Sequence, residues 1–163
     1  MKTKIAIIAA LVASLTFANA AEKIKSPNGG RIIESVEPHA EFLITKDKKV
    51  EIRFLSEAGK VVAPAAQTVT VTMGDRSAPT KLAFTKDGDK LVSDKMIPEG
   101  KELPVVVQIK TTPEAKSITE KFNLNLAKCP TCESAEYACT CEHGAKEKGH
   151  EGHDHKPGED HKH

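Results

Sequence analysis

The chain has 163 residues, with 24 lysine and arginine side chains and 23 aspartate and glutamate side chains. That near balance of charge gives no support to binding of nucleic acids or anionic membranes, which would need a basic excess. The length suffices for one domain with a modest core and leaves room for segments outside it.

Residues 1–20 predict a secretory signal peptide. Lys2 and Lys4 form a basic n-region, residues 5–17 are mostly apolar, and small residues surround the end at Ala20. The apolar run is too short to span a bilayer, which argues against the alternative of a retained membrane anchor. We therefore expect export across the inner membrane and a soluble periplasmic protein, with no membrane insertion after cleavage.

Residues 21–127 predict a single β-sandwich domain. Apolar and polar side chains alternate along residues 50–54, 67–73 and 122–126, which is typical of half-buried antiparallel strands. Turn signals recur at roughly 8–12 residue spacing, and no stretch has the period of a helix. Further predicted strands cover residues 31–35, 40–44, 81–85, 90–93 and 105–110. The fold class is therefore all-β, an immunoglobulin-like antiparallel sandwich of about seven or eight strands.

The sandwich itself offers few chemical groups. No paired catalytic carboxylates, activated nucleophile or phosphate-binding glycine loop is found, so an enzyme is not predicted. His39 and Glu41 share one strand face and are candidate metal ligands, although a lone histidine near a loop is more often simply exposed. Met96 is a further thioether candidate in a loop, whereas Met73 continues an apolar strand face and is expected in the core.

Two stretches of the sandwich resemble small exported β-sandwich domains associated with bacterial heavy-metal efflux systems. They are residues 28–44, "NGGRIIESVEPHAEFLI", and residues 49–73, "KVEIRFLSEAGKVVAPAAQTVTVTM". The matching positions are Gly29, Gly30, His39, Glu41, Gly59, Lys60, Val69 and Val71. The resemblance implies metal handling at the cell envelope, with an efflux or metal-sensing protein as partner. The chain has Asn28 where a histidine is expected before the glycine pair, which argues against a metal site on the sandwich.

Residues 128–143 form a cysteine-rich loop with C-x-x-C and C-x-C pairs separated by six residues. Two close pairs can place four thiolates around Zn(II), or fewer around Cu(I). The candidate ligands in this loop are Cys129, Cys132, Cys139, Cys141 and His143. In an oxidising compartment the same cysteines often form disulfides, and the spacing leaves thiolate and disulfide open.

Residues 144–163 predict a disordered tail rich in histidine and acidic side chains, and they contain no aliphatic or aromatic core residue beyond Ala145. Closely spaced imidazoles with nearby carboxylates can chelate one transition-metal ion. The candidate ligands are His150, His153, His155, His161 and His163.

Two functions follow from the sequence. The first is a periplasmic buffer or chaperone for copper, zinc or a similar transition metal, connected to metal efflux or resistance. The alternative is an interaction module without a metal role, whose tail is disulfide-stapled and keeps the protein soluble. Since residues 128–163 contain no Val, Ile, Leu, Phe or Met, their removal is expected to leave the stability of the sandwich nearly unchanged.

Overall fold

The computed structural model describes residues 24–141 of the chain. The predicted signal peptide and the histidine-rich tail, together with His143, lie outside the described residues. Among the described residues, no helix is long and apolar enough to cross a membrane.

The described chain folds into ten strands followed by a single turn of 3-10 helix, Glu136–Ala138. The strands are β1 (Arg31–Ile33), β2 (His39–Ile44), β3 (Lys49–Leu55), β4 (Val61–Val62), β5 (Thr68–Met73), β6 (Thr80–Leu82), β7 (Phe84–Asp87), β8 (Lys90–Met96), β9 (Leu103–Lys110) and β10 (Ile118–Leu124). The prediction of an all-β fold is confirmed.

The strands form two antiparallel sheets. The first has the order β1-β2-β3-β8-β7, with the short β4 added beside β3. The second has the order β10-β9-β5-β6. β1 and β10 therefore lie at the ends of different sheets, and the cysteine-rich segment follows β10 directly in the chain.

One hydrophobic core lies between the sheets, and it is built from the alternating faces of the strands. Val50, Ile52 and Phe54 of β3 are fully buried in it. From the second sheet, Val71 and Met73 of β5 are equally buried, as the alternation of valine and threonine predicts. The two sheets thus share their apolar faces in a sandwich-like arrangement.

The outer face of the first sheet is covered near its start by the segment before β1. Glu41 of β2 has no exposed surface. Its carboxylate accepts hydrogen bonds from the Ser26 hydroxyl, from the backbone and side-chain N–H groups of Asn28 at 2.9 and 2.7 Å, and from the Gly30 N–H at 3.0 Å. A Cβ on Gly30 would lie 2.4 Å from the Phe42 carbonyl oxygen. Glycine is therefore required for this close approach of the turn to β2.

Candidate metal centre

The chain reverses direction soon after β10. The Asn125 side-chain oxygen accepts the Ala127 N–H at 2.9 Å, which forms a local turn beyond Leu124. Residue 128 then pairs with Ala135 in an antiparallel bridge, and the Cys129 N–H donates to the Ser134 carbonyl at 2.9 Å. These bonds fold residues 128–135 into a small hairpin with the C-x-x-C sequence at its tip.

The returning strand of this hairpin leads into the 3-10 turn and then to the second cysteine pair. Glu136 N–H donates to the Ala127 carbonyl at 2.9 Å, and Tyr137 N–H donates to the Asn125 carbonyl at 3.1 Å. Cys139 N–H donates to the Glu136 carbonyl at 3.2 Å, which closes the turn. We call residues 128–141 the cysteine knuckle. Its backbone brings the C-x-C pair back over the C-x-x-C pair.

The four cysteine sulfurs of the knuckle meet in one cluster. All four Sγ atoms lie within 4.8 Å of one another. Cys139 is central, with its Sγ 3.3 Å from that of Cys129 and 3.5 Å from that of Cys132. Sulfurs bound at about 2.3 Å to one tetrahedral ion would be roughly 3.8 Å apart. The cluster can therefore hold a metal ion with little movement of the chain.

The surroundings of Cys139 contain one group that favours its thiolate form and several that oppose it. The Cys141 N–H donates to the Cys139 Sγ at 3.3 Å, a contact typical of thiolate ligands. This N–H lowers the pKa of Cys139, but the Cys129 thiol, desolvation and the other two thiols together raise that pKa to about 12. A negative charge is costly beside three further sulfurs unless a cation lies among them.

Burial within the cluster is graded. Cys129 is 3% exposed, while Cys132, Cys139 and Cys141 are half-buried. Thr131 Oγ1 lies 3.2 Å from the Cys129 Sγ, so the buried sulfur has a polar neighbour within the C-x-x-C turn. A partly covered group of four thiols suits an ion that enters from the open side and is then enclosed by sulfur.

The remaining sequence candidates within the described residues lie elsewhere. His39 starts β2, and its Nε2 is 3.5 Å from a Glu37 carboxylate oxygen, while its buried Nδ1 has no hydrogen-bond partner. β2 has six residues and Ile44 at its other end contacts the knuckle. At about 3.3 Å per residue, His39 is roughly 17 Å from that end and does not reach the cysteine cluster.

Glu41 and Met96 also lie outside the cluster. The Glu41 carboxylate is occupied by the four hydrogen bonds that hold the turn before β1. Met96, at the end of β8, is 61% exposed and lines a surface depression with Lys46, Lys48 and Glu99. Of the described histidine, cysteine and acidic side chains, the four cysteines are the group placed to bind one ion.

Sequence reasoning missed the residues that attach the knuckle to the sandwich. Tyr137 is only 5% exposed and belongs to the hydrophobic core. Its hydroxyl accepts the Ile44 N–H at 3.2 Å. The one signal for this role was the position of Tyr137, the single tyrosine of the chain, between the two cysteine pairs.

No protein-family model, curated protein or solved structure matches the chain.

Proposed function

We propose that this protein is an exported transition-metal-binding protein of the bacterial cell envelope, a binding protein rather than an enzyme. The observation that carries the proposal is the convergence of four cysteine sulfurs within 4.8 Å. Thiolates in this number and arrangement are ligands for soft and borderline metal ions, of which zinc and copper are the common biological examples.

The remainder of the proposal draws on the sequence. Residues 1–20 have the composition of a signal peptide, which supports a periplasmic location. Six histidines between His143 and His163 supply a second set of ligands that binds with faster exchange than the four clustered thiolates. The resemblance of the sandwich to efflux-associated domains supports an immunoglobulin-like fold and a role as a metal buffer or chaperone beside an efflux or metal-sensing partner.

The proposal is tested by titrating the full chain with Co(II) under reducing conditions. Wild-type protein should give near-ultraviolet sulfur-to-cobalt charge-transfer bands, which histidine and carboxylate ligands cannot produce. Cys141→Ser should weaken these bands and lower the affinity by about tenfold or more, because one ligand is lost. Met96→Leu removes an exposed sulfur outside the cluster and is the matched control, with an unchanged spectrum.

A second measurement tests the alternative, an interaction module whose tail is cross-linked by disulfides and has no metal role. Counting reactive thiols in protein taken directly from the envelope distinguishes four thiols from two disulfides. Absence of charge-transfer bands in the reduced wild type, or full oxidation of the cysteines in the cell, would overturn the proposal.

A further inference from the structure

The cysteine knuckle lies across the edge at which the two sheets end. Its 3-10 turn, Glu136–Ala138, contacts β10 of the second sheet and β1 of the first. These are the end strands of their sheets. The knuckle therefore bridges the two layers of the sandwich.

Tyr137 is the main apolar contact of this bridge. Its ring packs edge-on against Phe42 of β2, with centroids 6.1 Å apart. Its hydroxyl accepts the Ile44 N–H from the same strand, while its own N–H donates to Asn125 just after β10. One residue thus makes backbone hydrogen bonds to segments of both sheets.

Arg31 reinforces the same edge from β1. Its guanidinium donates to the Tyr137 carbonyl at 3.3 Å and pairs with the Glu120 carboxylate of β10 at 3.5 Å. It also lies 4.7 Å from the centre of the Phe122 ring, within cation–π distance. The aromatic ring of Phe122 in turn contacts Phe42, at 5.1 Å between centroids. The knuckle, β1 and β10 therefore form one connected set of contacts.

The knuckle has little of its own to keep it ordered. Only Cys129 and Tyr137 of its residues are buried. A segment with so few buried side chains gains little from packing against the entropy lost when its backbone is fixed. Metal ions bound by several thiolates commonly supply that missing stabilisation in small cysteine-rich folds.

We propose that a divalent ion with a tetrahedral preference, of the Zn(II) and Cd(II) class, holds the knuckle in place and so couples metal occupancy to the stability of the whole sandwich. All four thiols give their protons to solvent as the four sulfur–metal bonds form, and the centre then carries two negative charges. Cu(I) binds fewer thiolates, so part of the knuckle would have no bond to the metal. This inference rests on the proposed function and assigns the cysteine centre a retained ion, with exchange left to the histidine segment.

The chain contains a convenient reporter of this coupling. It has one tyrosine and no tryptophan, so its tyrosine emission comes from Tyr137 alone. In the full chain loaded with Zn(II), acrylamide should quench this emission weakly because the ring is covered. Removal of zinc with a strong chelator under reducing conditions should raise the quenching constant several-fold and lower Tm by several degrees.

Variants distinguish zinc binding that stabilises the sandwich from zinc binding that leaves its stability unchanged. In Tyr137→Ala the cobalt charge-transfer bands should persist at saturating Co(II), while the zinc-induced rise in Tm falls to less than half of the wild-type rise. Arg31→Met is a milder second variant and should reduce the zinc-induced rise in Tm by a smaller amount. It provides the test if Tyr137→Ala does not fold. Lys121→Ala, an exposed change on β10, is the control. Deletion of residues 142–163 keeps the four cysteines and removes the histidine segment, so the zinc-induced rise in Tm that it loses is the part that arises in that segment.

A wild type that binds Zn(II) through its thiols but keeps the same quenching constant and Tm after zinc removal would overturn the inference and leave the proposed function intact. Equal zinc-induced rises in Tm for wild type, Tyr137→Ala and Arg31→Met would overturn it as well. Loss of the cobalt bands from the wild type would instead overturn the proposed function.

Discussion

Glu51 lies on the charged face of β3, and its carboxylate is stabilised by two basic side chains. Its carboxylate accepts hydrogen bonds from Arg53 at 3.0 Å and from Lys90 of β8 at 2.7 Å. Burial by itself raises the pKa of Glu51, but the hydrogen bonds and charges of Lys90 and Arg53 outweigh it, and the pKa lies below its ordinary value of 4.5. The charged form is thus stabilised by folding.

This pKa gives a pH-dependent contribution to stability. Because the folded-state pKa is lower than the unfolded one, the contribution is present above the unfolded pKa and is lost as pH falls through the folded value. We expect Glu51→Gln to lower the free energy of unfolding by about 1–3 kcal/mol at neutral pH, with the difference from wild type narrowing below pH 4.5. Denaturant titrations across that range measure it.

The control for this comparison is Glu57→Gln, since Glu57 is exposed. Its effect should stay within about 0.5 kcal/mol at every pH. A Glu51→Gln difference that grew on acidification would contradict a lowered pKa of Glu51 in the folded protein.

Glu41 illustrates where residue-level prediction from sequence stops. Alternation places it on the same strand face as His39, which suggests a pair of metal ligands. The structure gives its carboxylate four donors from residues 26–30 instead. Those donors come from a turn that folds back over β2, and such a return is invisible to a pattern of period two.

At the scale of elements, alternation predicted the long strands well. β3 and β5 fall within one or two residues of the predicted stretches 50–54 and 67–73. The predicted strand 81–85 is instead divided into β6 and β7 around Ala83, because β6 pairs with β5 in one sheet and β7 pairs with β8 in the other. A period of two does not say to which sheet a strand belongs, so the crossing was not predictable.

β10 shows a second limit of the same reasoning. The alternating stretch 122–126 predicts a strand that continues to Leu126, but β10 ends at Leu124 and Leu126 is 47% exposed. The Asn125 side-chain oxygen accepts a hydrogen bond from the Ala127 N–H just beyond the strand. A local side-chain hydrogen bond has ended the ladder where the hydrophobic pattern continues.

The knuckle also changes the expectation for truncation. Sequence composition predicts that removing residues 128–163 leaves the sandwich nearly as stable as before, but Tyr137 and Cys129 are buried. In the zinc-loaded protein, deletion of residues 128–163 should therefore lower the free energy of unfolding by about 3–5 kcal/mol, the usual effect of losing a buried aromatic side chain. Deletion of residues 142–163 alone is the matched control, since it keeps every knuckle residue. Equal unfolding free energies for the two truncated chains, measured with denaturant, would contradict this.

At the scale of the whole molecule, the fold class and the meeting of the four cysteines were within reach of the sequence. Strand alternation predicted the all-β class, and the two close cysteine pairs indicated either four thiolates around one ion or disulfides. The docking of that centre on the sandwich was not predictable. It depends on contacts such as Arg31 with Tyr137 and Tyr137 with Ile44, whose partners are 106 and 93 residues apart in the chain. Local patterns carry no information about pairs at that separation.

The molecule therefore combines a sandwich core with a cysteine centre that is built onto its edge. The convergence of four sulfurs within 4.8 Å sets this centre apart from the histidine segment predicted beyond it. Metal held in the knuckle should be retained when weakly bound metal is washed away, because four thiolates bind one ion together and release of the ion requires all four bonds to break.

X-ray absorption at the metal edge of zinc-loaded full chain, after removal of weakly bound ions, tests the central claim most directly. We expect a first shell of four sulfur atoms at about 2.3 Å. A first shell of nitrogen and oxygen atoms only would contradict the assignment of the cysteine cluster as the metal centre.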